Sequence, residues 1–352
     1  FAHTPPTGFK KINTANLPEP TILKGSDHFN TLLYVGNATD NRTITGVGFQ
    51  PDLLWIKDRE TSSNAGRHYL FDKLRQSGGE SVLGIVTDAN GGDNNMSSNN
   101  RFKGIRSDGF EVSGSDVDTN ANNTDYVTYS WKESATAGFD MVTYTGDGNA
   151  SQNISHSLGV APNMIWIKCR SENQNWRLGH DDLTGNNWTY RLIFDNNSAA
   201  EDHADFNDTA PTSSVFSVGT DDAVNKDGGT YIAYLWASVE GYSKAGSYEG
   251  NGNANGPFIF TGFKPAMVLI KSSSHAENWN IFDNKRDPDN YVHHQLVPNN
   301  NAEENSTTTA RRLDFLSNGF KIRGTDGTIN TDDYTYVYLA FAESPFKYAN
   351  AR

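Results

Sequence analysis

The chain repeats one sequence pattern three times, and this internal repetition limits its fold more than any other feature. The first marker is PDLLWIK at residues 51–57, PNMIWIK at 162–168 and PAMVLIK at 265–271. A second marker, Gly-Ser/Thr-Asp, follows at residues 114–116, 219–221 and 324–326, and its aspartate is predicted to cap a turn at a strand end. The copies lie about 105 residues apart, whereas solenoid and propeller repeats usually run roughly 20 to 50 residues. The period therefore predicts three copies of a whole domain.

The markers also predict where the repeats begin and end. We expect a lead or linker from a preceding module over 1–29, followed by repeats over 30–138, 139–245 and 246–352, the last with a C-terminal tail. Residues 1–9, FAHTPPTGF, contain two adjacent prolines, which is typical of linkers. We therefore expect the chain to be the C-terminal portion of a longer polypeptide.

Within each repeat the pattern is that of short β-strands. The marker segment is a continuous apolar run bounded by proline and by polar loops, as expected for a strand that is buried on both faces. Residues 126–131 and 334–341 alternate with period two, and glycine-containing turn signals lie between such segments. The sequence shows no helical stripe. It predicts an all-β protein of three tandem antiparallel β-sandwich domains that are jelly-roll-like.

Charge and composition exclude several classes of partner. The net charge is −13, with 42 acidic and 29 basic residues, and no basic run offsets it locally. Such a surface repels phosphate backbones, so we predict no nucleic-acid partner. The longest apolar stretches are much shorter than the about 20 residues of a membrane span, so we predict no membrane insertion. The single cysteine, Cys169, excludes an internal disulfide framework.

Several motifs together resemble a known family. They are Tyr-x-Gly-Asn at 34–37, Gly-Phe-x-Pro-Asp-x-x-Trp-Ile-Lys at 48–57, Phe-Asp at 71–72 and 282–283, and Ser-Asn/Asp-Gly-Phe at 107–110 and 317–320. This signature resembles the tandem β-sandwich repeats of tail-fibre and virion structural proteins of aquatic bacteriophages, which often follow a SPRY-like module. The resemblance implies a place on the virion exterior and contact with a host surface. It also implies self-association, commonly as a homotrimer or otherwise as another symmetric oligomer, and contact with other virion proteins.

Comparison of the repeats separates candidate core residues from candidate binding residues. Trp55, Trp166, Trp131 and Trp236 recur at matching places and are predicted to be core. Trp176 and Trp279 also match each other, with His68 at that place in the first repeat. We interpret these two tryptophans either as an aromatic stack on a strand edge or as a surface on which sugar rings stack. Both are therefore retained as candidate ligand-binding residues.

Features that occur in only one repeat are freer to serve a ligand. In the second repeat these are His180, Trp188 and Tyr190, and in the third they are Tyr291, His293 and His294, all of which we predict to bind a ligand. If His293 and His294 were neighbours on one strand, their side chains would point to opposite faces. We therefore predict no metal there.

The sequence predicts no cofactor. Residues 116–120 have the opening spacing of a calcium loop, but Ala121 and Val127 stand where that loop needs glycine and glutamate. A structural calcium site without this motif is the alternative that the sequence leaves open. The Asn-rich segments 88–100, 196–211 and 298–309 are expected to be solvated connections, with hydrogen bonding to glycan hydroxyls as the functional alternative.

Three functions remain open at this point. The favoured hypothesis is a non-enzymatic phage appendage whose loops bind a host-surface glycan or protein receptor. The second is a structural fibre or decoration repeat without a specific ligand. The third is a glycan-degrading tailspike, which needs two carboxyl groups that face each other across a cleft. No catalytic residue is predicted, because adjacent pairs such as Asp181 and Asp182 do not provide that geometry.

Overall fold

The protein is described by a computed structural model, which covers residues 6–7, 16–60, 66–77, 81–96, 101–183 and 188–349. Residues 1–5 and 8–15 of the predicted lead lie outside these ranges. The described residues are dominated by antiparallel strands, which confirms the predicted all-β class. The helices are α1 (Asp222–Asn225), α2 (Gly327–Asn330) and the short 3-10 turns Gly25–Asp27, Lys73–Arg75, Ala135–Ala137, Ala204–Phe206 and Phe346–Tyr348.

Each repeat forms a large sheet and a small sheet, with strands numbered along the chain. In the first repeat the large sheet runs β1 (Phe29–Val35), β10 (Asp125–Trp131), β3 (Leu53–Asp58), β4 (Tyr69–Asp72), β6 (Ser81–Val86) and β5 (Gln76–Ser77), with β7 (Asn94–Asn95) also paired to β6. The small sheet runs β2 (Arg42–Thr45), β9 (Gly109–Val112) and β8 (Phe102–Arg106).

The other two repeats follow the same order. In the second, β11 (Phe139–Thr145), β18 (Thr230–Trp236), β13 (Met164–Cys169) and β14 (Arg177–His180) form the large sheet. Its smaller pairs are β12 (Gln152–Ser155) with β17 (Val215–Val218), and β15 (Tyr190–Arg191) with β16 (Glu201–Asp202). In the third, the large sheet is β19 (Ser243–Glu249), β25 (Thr335–Pro345), β21 (Phe263–Ser272) and β22 (Asn280–Asp283), and the small sheet is β20 (Phe258–Phe260), β24 (Gly319–Ile322) and β23 (Leu313–Leu316). The predicted boundary between residues 245 and 246 falls inside β19.

The repeated marker forms the middle strands of the large sheets. All six residues of β3 and of β13 are buried, because the large sheet is covered on both faces. In β3 one face carries Trp55 toward the centre of the molecule, and the other carries Leu54 and Ile56 toward the small sheet of the same repeat. The continuous apolar run of the marker thus reflects burial on both faces, as predicted.

One hydrophobic core, which we call the shared core, joins all three repeats. It contains Trp55 and Trp131 of the first repeat, Trp166 and Trp236 of the second, and residues of the third. The ring centroids of Trp166 and Trp236 lie 4.4 Å apart, and Trp55 contacts Trp166 at 6.1 Å across the junction of two repeats. The four tryptophans predicted to be core are therefore buried as expected. Each repeat also has a core of its own, and the shared core connects the three.

Equivalent contacts link the repeats in a closed cycle. The backbone N–H of Asp93 donates to Arg170 O at 2.9 Å, that of Ala200 to Ser273 O at 2.8 Å, and that of Glu304 to Arg59 O at 2.9 Å. The third repeat thus returns to the first, as an approximate threefold arrangement requires. All three donors lie in the Asn-rich segments that were predicted to be solvated connections. At these points the segments bridge repeats instead.

The lysine that ends each marker is buried at a junction. Lys168 Nζ donates to Asn90 O of the first repeat at 2.9 Å, and Lys271 Nζ donates to Ser272 O at 2.6 Å and to Asn197 O of the second repeat at 3.4 Å. Burial lowers the pKa of Lys57 and of Lys168 to about 8, and that of Lys271 to about 7. Nearby carboxylates oppose this shift without cancelling it.

We expect stability to rise with pH because of these lysines. Between their folded pKa values and the ordinary value near 10.5, the unfolded chain holds protons that the folded chain has released, so raising the pH favours folding. The free energy of unfolding from urea titrations should increase between pH 7 and 9 by about 1 kcal/mol for each lysine. Lys271→Met should reduce that increase. A free energy of unfolding that stays constant or falls between pH 7 and 9 would contradict this prediction, because it would mean that nearby carboxylates cancel the effect of burial on the pKa values of the lysines.

Candidate functional site

The structure buries four of the eight predicted ligand-binding residues. Trp176, Trp279 and His180 are at most 1% exposed, and Trp188 is 5% exposed. Their side chains therefore do not form the surface for sugar stacking that the sequence suggested.

The two matching tryptophans serve the junctions between repeats. Trp176 Nε1 donates to Val86 O of the first repeat at 2.8 Å, and Trp279 Nε1 donates to Ile193 O of the second at 3.1 Å. His68, which takes this place in the first repeat, is also buried and accepts a hydrogen bond from Trp55 Nε1 at 3.1 Å. Trp176 also stacks on Tyr234 of its own repeat with ring centroids 6.3 Å apart, beside the outermost strand of the large sheet, so the aromatic-stack alternative describes it in part. The sequence did not predict the contacts of both tryptophans across the junctions.

The candidates in the second repeat do not meet at one surface. The Trp188 ring packs 5.3 Å from that of Phe206 and lies against Gly179, where an added Cβ would come within 2.3 Å of it. His180 contacts Tyr338 O at 3.4 Å, and burial lowers its pKa. Tyr190 is half-buried in the strand pair β15–β16. The sequence pattern grouped these residues, but the fold separates them between core and surface.

The three candidates of the third repeat do come together, and we call the region around them the repeat-3 pocket. Tyr291 and His293 line a depression of about 300 Å³ together with Asp287, Asp289 and Arg312. Pro288 and Asn290 complete its lining, and His294 stacks on His293 with ring centroids 4.6 Å apart. A groove of about 620 Å³ continues along the same loop, past Asp314 and Leu316.

Backbone hydrogen bonds fix the shape of this pocket. Asp287 is 6% exposed, and its Oδ2 accepts from the backbone N–H groups of His293 and His294, both at 2.6 Å. On the other side, Asn290 Nδ2 donates to Phe315 O at 3.1 Å while its Oδ1 accepts from Phe315 N at 2.9 Å. A loop without regular structure is thereby held against β23, which positions its side chains.

Tyr291 is the exposed aromatic surface of the pocket. Its side chain is 45% exposed, and the guanidinium carbons of Arg312 and Arg323 lie 5.1 and 5.8 Å from the ring centroid. Cations at this distance are attracted to the face of an aromatic ring. The two arginines therefore restrain Tyr291 and place positive charge beside it in a chain whose net charge is −13.

His293 and His294 do not point to opposite faces as the strand argument assumed. They lie outside the regular strands, and the Nδ1 atoms of His294 and His293 are 2.7 and 3.4 Å from Asp287 Oδ1. The prediction was wrong on geometry because a loop, unlike a strand, can turn consecutive side chains to one side. Asp287, Arg312 and Arg323 were not predicted, although the segment around Asp287 is peculiar to the third repeat and could have been singled out on that ground.

A second cluster in the middle repeat has a different character. His203 Nδ1 lies 2.8 Å from Asp205 Oδ1, but Arg177 and Arg191 also contact that buried carboxylate at 3.0 and 2.9 Å. Burial raises the pKa of Asp205, and the two guanidinium groups oppose the rise. Because arginines already supply the positive charge, this cluster is an ion-pair network that supports the fold.

The repeated Gly-Ser/Thr-Asp aspartate caps a turn, as the sequence predicts. Asp221 Oδ1 accepts from Ala223 N at 2.8 Å and begins α1, while Asp326 Oδ1 accepts from Thr328 N at 3.0 Å and begins α2. Asp116, in the segment with the calcium-like spacing, accepts from Asp118 N at 3.0 Å and pairs with Arg101 at 2.7 Å. Its carboxylate thus contacts a guanidinium group.

Together these features define an all-β protein whose three antiparallel repeats close around a shared core, with a polar and aromatic pocket on the third repeat. The chain belongs to the family described as a domain of unknown function (DUF7483), which matches residues 24–345. This single match spans all three repeats, in agreement with their shared core. A comparison with curated proteins found no match. None of the helices in the described ranges is long and apolar enough to cross a membrane.

Proposed function

We propose that the chain is a non-enzymatic attachment protein of a phage tail fibre or other virion appendage, and that the repeat-3 pocket binds a host-surface glycan. The observation that carries the proposal is the exposed side chain of Tyr291, which lines the repeat-3 pocket and has the guanidinium carbons of Arg312 and Arg323 at 5.1 and 5.8 Å from its ring centroid. The appendage setting rests on the resemblance of the repeat motifs to phage virion proteins.

The chemistry of the pocket suits a sugar. An aromatic face packs against the C–H groups of a pyranose ring, while neighbouring polar groups hydrogen-bond its hydroxyls. Asp289 offers an acceptor and Arg312 a set of donors in the same pocket as Tyr291, and the adjoining groove past Asp314 leaves room for further units of a chain. A rigid β-scaffold that carries a recognition loop is a common arrangement for such binding.

The second candidate function is a purely structural repeat. It is favoured by the closed cycle of equivalent contacts, in which the interstrand segments of each repeat are used to hold the next. A chain that already contains three equivalent units in a ring can act as a rigid body in a fibre, either alone or in a homotrimer with other virion proteins. This alternative does not explain the exposed aromatic side chain and the polar lining of the repeat-3 pocket.

Binding to cells separates the two functions. We expect the purified protein to bind saturably to intact permissive host cells, and Tyr291→Ala to weaken this binding by about tenfold, the equivalent of about 1.4 kcal/mol of lost stacking. Binding curves from fluorescently labelled protein would measure the change. The glycan class would then follow from competition by free polysaccharides.

Phe260→Ala is the matched control for this experiment. Phe260 is an exposed aromatic of the same repeat, at 55% exposure, and Lys244 lies 5.7 Å from its ring centroid, but it lies outside the repeat-3 pocket. This variant should bind like the wild type. Equal loss in both variants, or no binding of the folded wild type to any permissive host, would favour the structural alternative.

A further inference from the structure

We propose that Asp287, His293 and His294 form a binding site for a divalent transition-metal ion such as Zn²⁺. The three residues offer two imidazole nitrogens and one carboxylate oxygen, and these atoms all lie within 4.8 Å of one another. Two histidines and one carboxylate are a common ligand set for such ions when further positions stay open to solvent or a ligand. The site goes beyond the proposed glycan binding and does not depend on it.

The distances suit a metal ion. Ligand atoms that each lie about 2.1 Å from a tetrahedral ion are roughly 3 to 3.5 Å from one another. Asp287 Oδ1 is 2.7 Å from His294 Nδ1 and 3.4 Å from His293 Nδ1, so the second distance falls within that range and the first lies just below it. The opposite carboxylate oxygen, Oδ2, is held by two backbone N–H groups. Asp287 is thus oriented by the loop independently of either imidazole ring.

The carbonyl groups around the site add further oxygen atoms. Arg286 O lies 3.1 Å from His294 Nδ1, and Tyr291 O lies 3.2 Å from His293 Nδ1. Each of these imidazole nitrogens therefore lies near a carbonyl oxygen as well as near the Asp287 carboxylate. When the ion is absent, protons on these nitrogens can donate to the same oxygens, which keeps the rings in place.

The charge around Asp287 differs from that around the second cluster. Asp205 is contacted by Arg177 and Arg191, which occupy the positions where a cation would otherwise neutralise its charge. For Asp287, the ion-pair partners found among the described residues are the two histidines alone, which are neutral when deprotonated. A metal ion at Asp287 would therefore meet a carboxylate that has no arginine partner among the described residues, whereas the carboxylate of Asp205 already contacts two arginines.

The site is accessible from solvent. The side chains of His293 and His294 are 33% and 25% exposed, and Asp287 and His293 also line the repeat-3 pocket. Positions of the ion that the protein does not fill would face this pocket. They could be taken by water or by oxygen atoms of a ligand held against Tyr291.

Direct titration tests the site without any cell or glycan. We expect untagged protein to take up one Zn²⁺ per chain in isothermal titration calorimetry. His293→Gln and His294→Gln should each weaken binding by at least about tenfold, because even residues that only orient a metal ligand typically cost about 10- to 100-fold. Neither variant removes the backbone N–H groups that hold Asp287, so both should fold, which circular dichroism and thermal melting would verify.

His275→Gln is the control. His275 is exposed in the same repeat and stacks on Tyr334 with ring centroids 3.5 Å apart, but it is not part of the Asp287 cluster. Retained Zn²⁺ uptake in this variant, with loss in the other two, supports the site. Absence of a one-to-one binding step in the wild type, or undiminished uptake in both His293→Gln and His294→Gln, overturns it. Tyr291→Ala should keep its Zn²⁺, so failure of glycan binding and failure of metal binding are distinguishable.

Discussion

Arg286→Met should lower the free energy of unfolding by about 3–5 kcal/mol, because it removes one partner from a buried ion-pair network. Arg286 contacts Asp283 through Nε, donates to Glu304 at 2.9 Å through Nη1 and to Ile281 O at 3.1 Å through Nη2. The first repeat enters the same network, since Tyr129 donates to Asp283 at 2.8 Å and Arg59 donates to Glu304. The substitution therefore leaves two carboxylates undercompensated at a junction of repeats.

The lowered pKa of Glu304 supports a large loss of stability in Arg286→Met. Burial alone would raise the pKa of Glu304, but hydrogen bonds from Arg59 and the charge of Arg286 lower it to about 2. Arg106→Met is the matched control, because Arg106 forms a partly exposed pair with Glu111 at 2.7 Å. Such pairs contribute about 0–1 kcal/mol. Urea unfolding would measure both variants, and a loss from Arg286→Met no larger than that of the control would contradict the prediction.

The buried ion-pair network is present at two of the three junctions between repeats and is replaced at the other. Between the first and second repeats the network recurs, with Arg75 contacting Asp72 and Tyr234 donating to Asp72 at 2.7 Å. Between the second and third repeats the corresponding places hold His180 and Leu339, which are also buried. The tyrosine and the aspartate are thus present together or absent together. The ionic contact is one of two ways to fill the same position.

Trp166→Ala should cost about 3–5 kcal/mol, because it opens a cavity in the shared core. The Trp166 side chain is fully buried, and its ring lies 4.7 Å from that of Phe194 and 6.1 Å from that of Trp55 in the first repeat. Trp166→Leu is the matched control, since the third repeat carries Leu269 at the equivalent place. It should cost only about 2 kcal/mol, because the cavity is smaller. Within the described residues the indole N–H of Trp166 has no hydrogen-bond partner, so neither change breaks a hydrogen bond.

The unfolding curve carries a second readout. Because residues of all three repeats line the shared core, Trp166→Ala should move the whole transition rather than uncouple the second repeat. Intrinsic fluorescence and far-ultraviolet circular dichroism should therefore report one midpoint, shifted to lower urea. A loss below about 1 kcal/mol, or a separate early transition for one repeat, would show that the shared core contributes little.

The sequence by itself determined the repeat, the all-β class and much of the core. A period-two pattern and a continuous apolar run depend only on which residues are adjacent, so the markers predicted β3 and β13 and the burial of Trp55 and Trp166. The capping role of Asp221 and Asp326 was also local and was correctly predicted. Each of these features follows from the order of residues along one repeat.

Only the tertiary structure decided what lies between repeats and which loop residues meet. Trp176 and Trp279 could not be assigned from sequence, because their indole groups donate to carbonyls about 90 residues away in the preceding repeat. The pairing of His293 with His294 and Asp287 likewise depends on a loop held by long-range contacts to β23. Periodicity records which face of a strand is buried, but it does not record what covers that face. Here the covering element is another copy of the same repeat, brought there by closure of the ring.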